Sequence, residues 1–112
     1  MGFKIEDERT RGERIARPQD KEREDVLLLV LGGPEAGKRF LVKPPGGVLG
    51  RQPGCVIQLE DPDISRRHAL LEFTGDGRVM ITDLGSKSGV FVNGARIARA
   101  EIFDGNNLQV TN

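Results

Sequence analysis

Three stretches of this chain place basic, hydroxyl and glycine residues just before or after short apolar runs. Gly50-Arg51 follows a run ending in Leu49, and Asp63-Ile64-Ser65-Arg66-Arg67-His68 leads into the run that ends in Phe73. Asp83-Leu84-Gly85-Ser86-Lys87-Ser88-Gly89 leads into Val90-Phe91-Val92, which Asn93-Gly94 closes. Together they offer the parts that a phosphorylated side chain needs. Such a group carries about −1.5 to −2 charges and three strong acceptor oxygens. Its natural partners are an arginine fork, a hydroxyl donor and backbone N–H groups on loops.

Enzymatic readings of the same chain are thinner. Gly32-Gly33-Pro34-Glu35-Ala36-Gly37-Lys38 matches the start of a Walker A phosphate loop after an apolar strand. That motif needs a Ser or Thr next, for magnesium, and a helix N-terminus to meet the phosphate. Here Arg39 follows, then Phe40-Leu41-Val42 and Pro44-Pro45, so the stretch reads as a glycine-rich hairpin loop. The single histidine, His68, has no partner at metal-ligand spacing, and no third group is evident to orient a Ser65–His68 dyad. The expectation is a protein that is not an enzyme and uses neither metal nor cofactor.

The elements that must position these loops read as short strands. The 112 residues suffice for one domain with a modest core. With no Trp, no Tyr and five Phe, that core must be built from Val, Leu and Ile. Fifteen Gly and six Pro suit many turns. Runs of two to six residues that carry apolar side chains recur at 26–31, 38–42, 47–50, 55–59, 68–73, 78–82, 89–92, 96–97 and 107–110. Turn residues separate them, and no window carries a helical stripe, which predicts an antiparallel β-sandwich. Gly75-Asp76-Gly77 and Asn93-Gly94 are expected to close hairpins. Seventeen basic residues balance seventeen acidic ones, giving no electrostatic support for general nucleic-acid or membrane-surface binding. Cys55 is the sole cysteine, expected in a buried strand position, and rules out an internal disulfide. No apolar run approaches the ~20 residues that span a bilayer, and a secretory leader is not evident. The chain is read as cytoplasmic.

Gly-Arg, Ser-Arg-x-His, Asp-x-Gly-Ser-x-x-Gly and Asn-Gly occur here in one order. In that combination the chain resembles the forkhead-associated (FHA) domain, from about Val26 to Val110. The resemblance implies an FHA/SMAD-like sandwich of about ten to eleven strands that binds a phosphothreonine protein or peptide. It assigns Arg51 as the phosphate fork and Ser65 as donor of its hydroxyl and its backbone N–H. Arg66 adds a basic contact, while Gly50, His68, Gly89 and Asn93 brace the loops. The family's usual Thr-Asn before the glycine of the third loop is Lys87-Ser88 here. Lys87 is expected to replace the threonine as a point charge on the phosphate, with Ser88 beside it in place of the amide that holds the peptide backbone.

Fifteen of the first 25 residues are charged, so residues 1–25 are expected to be a flexible tail and 26–112 the domain. The family adds a last strand that is lacking after Val110, which predicts a partly unpaired edge at Val26–Leu31 and a route to self-association. A second route is Thr10, which after phosphorylation would dock on its own domain or on a neighbour's. The expected role is the phosphorylation-dependent interaction part of a larger signalling protein. The alternative is a phospho-independent interaction or dimerisation module on the same fold.

Overall fold

A computed structural model describes residues 2–6, 25–31, 35–103 and 105–110. Among these residues there is no helix, and eleven strands follow one another. They are β1 (Gly2–Glu6), β2 (Val26–Val30), β3 (Arg39–Val42), β4 (Gly46–Gly50), β5 (Ile57–Gln58) and β6 (Ala69–Phe73), followed by β7 (Val79–Asp83), β8 (Phe91–Val92), β9 (Ala95–Arg96), β10 (Arg99–Glu101) and β11 (Asn107–Gln109). One sheet has the order β3-β2-β1-β11-β8-β9 and the other β10-β7-β6-β4-β5. Neighbours run antiparallel except β4 and β5, which are parallel.

Alternation along the strands builds the core. Val26, Leu28 and Val30 of β2 turn inward, opposite Leu49, Leu71, Val79 and Ile81 of the other sheet, and each is at most 1% exposed. Burying one such side chain contributes roughly 1.5–3 kcal/mol. Asn93 (φ 50°) and Gly94 (φ 84°) both take positive φ, the geometry of the two-residue turn between β8 and β9. Thr74–Gly77 closes the β6–β7 hairpin. Residues 35–38 belong to the β2–β3 connection, where Gly37 N–H donates to Val30 C=O at 2.8 Å, so the glycine-rich stretch leads into a strand and not a helix.

Two expectations fail at the amino terminus. Residues 2–6, read from sequence as part of a tail, form β1 in the middle of a sheet, with Phe3 and Ile5 fully buried. Phe3 pairs with Val30 on one side and Leu108 on the other. The unpaired edge predicted at Val26–Leu31 is therefore absent, because β2 lies between β1 and β3. Five residues with two apolar side chains carry a weak strand signal by themselves. Two open strand flanks supply the hydrogen bonds and the apolar cover that settle their conformation. Residues 7–24, Thr10 among them, lie outside the described residues.

Smaller differences have similar causes. Arg99–Glu101 gives no apolar signal yet pairs with β7 as an edge strand. Within the run 55–59 only Ile57 and Gln58 form ladder pairs, with β4. Cys55 precedes this strand and is half-buried, its thiol bonded to Arg66 C=O at 3.6 Å.

Candidate functional site

Loops 51–56, 59–68 and 84–90 meet at one end of the sandwich. Backbone hydrogen bonds stitch the first two together: Arg51 N–H donates to Ser65 C=O and Gln52 N–H to Arg66 C=O, both at 3.1 Å. Gly50 makes this approach possible, because a Cβ there would lie 2.1 Å from the Arg66 carbonyl oxygen. Arg51 and Ser65, fourteen residues apart in sequence, thus become neighbours.

The arginine is aimed by a buried residue. Arg51 Nε donates to Ile64 C=O at 3.1 Å, and the Ile64 side chain is sunk in the core. Among the described residues neither terminal guanidinium nitrogen has a partner, which leaves both for a second, bidentate one.

His68 fixes the loop from beneath. It is fully buried, and Ser65 N–H donates to its Nδ1 at 3.1 Å. Nδ1 must then be the bare nitrogen, so Nε2 carries the proton and donates to Gly89 C=O at 2.8 Å. One imidazole therefore joins the Ser65 loop to the third loop. It also occupies the Ser65 backbone N–H, which the family resemblance gives to phosphate; only the hydroxyl of Ser65 is left for that role.

The third loop is built by its own side chains. Asp83 Oδ1 accepts from Ser86 N–H at 2.8 Å, and Ser86 Oγ, buried, accepts from Gly89 N–H at 3.0 Å. Gly89 itself has φ 86°. This fold of the loop places Lys87 N–H on Ser65 Oγ at 3.0 Å. Ser65 Oγ thus accepts one bond and, among the described residues, has no acceptor for its own proton.

Ser88, expected beside the ligand, faces the second loop. Its hydroxyl donates to Asp63 C=O at 3.0 Å, tying the second loop to the third. Asn93 stands farther off, where its Oδ1 accepts from Asn107 N–H at 2.8 Å and links the β8–β9 turn to β11. Ile64, Asp83, Ser86 and the Asp63 carbonyl are the contributors that the sequence reading passed over. Asp83 and Ser86, spaced to meet N–H groups three residues on, were open to recognition as turn-forming side chains.

The electrostatics favour an anion. Among the described residues no carboxylate lies within ion-pair distance of Arg51, Arg66, Arg67 or Lys87. The acidic residues nearby are partly engaged in the backbone: Asp61 Oδ1 accepts from Asp63 N–H, and Glu35 Oε1 from Glu60 N–H. The hydrogen bond from Lys38 holds the Glu35 carboxyl below its ordinary range. Among the described residues no group of acidic, histidine or cysteine side chains is arranged to hold a metal.

The FHA domain family model matches residues 47–111, more than half of the chain. The chain belongs to the FHA family. This FHA domain is 39% identical over 85 residues to the glycogen accumulation regulator GarA of Mycolicibacterium smegmatis, covering 76% of this chain and 53% of that protein. It is 43% identical over 68 residues to an oxoglutarate dehydrogenase inhibitor of Corynebacterium efficiens, covering 61% and 47%. It spans about half the length of these relatives, which are a regulator and an inhibitor by name. Among solved structures, the FHA domain of CT664 from Chlamydia trachomatis superposes with a TM-score of 0.71 at 32% identity, covering 79% of this chain and 90% of that one. An FHA domain solved for its phosphothreonine-dependent interactions gives a TM-score of 0.69 at 26% identity, covering 77% and 86%. The FHA fold is a phosphothreonine-dependent interaction module, and this chain has its all-β sandwich.

Proposed function

We propose that this FHA domain binds a phosphothreonine peptide through Arg51 and Ser65, and that it serves as the non-enzymatic, regulatory interaction part of a larger cytoplasmic signalling protein. One observation carries the reading: Ser65 Oγ is held by Lys87 N–H with its proton unspent, beside an arginine whose Nε is fixed and whose terminal nitrogens are not. Arg66 and Lys87 add charge on either side of that hydroxyl. The threonine methyl would fill an apolar notch between the loops, so phosphoserine should bind more weakly. Titrating one peptide as phosphothreonine, phosphoserine and unmodified threonine should give affinities in that descending order. Equal affinity for the phosphorylated and unmodified forms would overturn the reading in favour of a phospho-independent module.

The polarity of β1 bears on self-association. Gln109 pairs with Gly2 on one side and with Phe91, just beyond the third loop, on the other, so Gly2 lies at the loop end and Glu6 at the opposite end. At ~3.4 Å per residue, β1 separates those ends by about 14 Å. Thr10 has only four residues, at most ~14 Å of chain, in which to cover that return and cross ~10 Å between sheets. The shortfall is only a few Å, within the reach of the phosphothreonine and Arg51 side chains, so a phosphorylated Thr10 would dock on Arg51 of its own domain or of a second copy. Sedimentation separates the two: a mass rising with concentration after phosphorylation marks docking on a second copy, and a strictly monomeric product excludes it.

A further inference from the structure

Directly beside the phosphate grip, a cavity of about 280 Å³ opens on the outer side of the second sheet. Val48 of β4, Pro53, Gly54, Val56 and Arg67 are among the residues that line it. Val56 lies against bare backbone, since a Cβ on Gly47 would fall 2.1 Å from its Cγ2. It still leaves 49% of its surface exposed. The cavity wall and the phosphate grip are one piece of structure: Arg66 C=O accepts both Gln52 N–H and the Cys55 thiol, and Gln52 follows Arg51 directly.

The third loop offers little to read the peptide beside the phosphate, because the Ser88 hydroxyl is spent on Asp63 C=O. The first loop offers apolar concave surface within a few residues' reach of Arg51. We infer that this cavity receives an aliphatic side chain of the phosphothreonine ligand, close in sequence to the phosphothreonine, and that Val56 is a specificity-determining residue. The inference rests on the phosphothreonine reading of Arg51 and Ser65. An aliphatic side chain seated there leaves water on binding, as Val56 and Pro53 do, whereas alanine is too short to fill the space. Arg67, an exposed residue, also lines the cavity, and a long arginine stem can cover apolar surface while its charge stays in water.

The test uses phosphothreonine peptides with alanine at every flanking position, and with a single leucine or valine at each of the nearest positions on either side. Affinities are measured by fluorescence anisotropy for the wild-type chain and for Val56→Asp. At one position the aliphatic residue should tighten binding to the wild type about tenfold, the scale of one side chain leaving water. Val56→Asp should erase that gain, each protein's affinity for the all-alanine peptide serving as its own reference. Should Val56→Asp fail to fold, Val56→Thr carries the same comparison with a smaller loss. Leucine no better than alanine at every position, or a gain that survives both substitutions, overturns the inference. Those results leave the phosphothreonine reading standing if phosphorylated peptides still outbind unmodified ones; if they do not, both fall.

Discussion

The two sides of the candidate site are built by different means. On the Arg51–Ser65 side, backbone hydrogen bonds join residues from separate loops, and buried Ile64 and His68 aim the side chains from below. On the Lys87–Ser88 side, the loop is shaped by its own Asp83 and Ser86 and meets its neighbour through Leu84 N–H, Lys87 N–H, the Ser88 hydroxyl and Gly89 C=O. The first side is rigid and ends in a fork that lacks a partner among the described residues. The second is lighter, and its exposed lysine is a flexible point charge. Rigidity on one side lets an anion be held in a fixed place, while the other side contributes charge without geometry. His68 bonds to both.

This asymmetry predicts an order of effects. Arg51→Ala should abolish measurable phosphothreonine binding, since losing one partner of a desolvated charge pair costs roughly 2–5 kcal/mol, about 30-fold or more in affinity. The fold should survive, as Arg51 is exposed, and a thermal melt alongside the titration checks this. Ser65→Ala comes next, because a hydrogen bond to a charged group contributes about 1.5–3 kcal/mol, a loss of roughly ten- to a hundredfold. Lys87→Ala should cost least, a few-fold at low salt and less at physiological ionic strength, where an exposed charge is screened beyond about 8 Å. Isothermal titration of the three variants at two salt concentrations ranks them. If Lys87→Ala weakened binding more than Arg51→Ala, the two sides would have to exchange roles.

Much of this molecule was legible before any coordinates. The identities of Arg51, Ser65 and His68 and the Asn93-Gly94 turn are written locally, as residue types at fixed offsets. So is the all-β class, because period-two runs between glycine-rich turns admit few other folds. Local patterning also explains what was misread. Phe3 and Ile5 are two apolar residues at the head of a heavily charged stretch, and their worth as a strand depends on partners more than twenty residues away. Arg99–Glu101 is polar, and pairing with β7 alone makes it a strand.

By itself, then, the sequence determined the class of fold and which basic and hydroxyl side chains flank its strands. Only the tertiary structure decided that β1 fills the middle of a sheet. It also decided which atoms at the site are free: Ser65 keeps its hydroxyl proton but not its backbone N–H, and Ser88 has given its proton to Asp63. The physical reason is the same in each case. A side chain's chemistry is fixed by its own atoms, whereas the state of a donor or acceptor depends on the partner that the fold brings to it, which here sits up to 25 residues away.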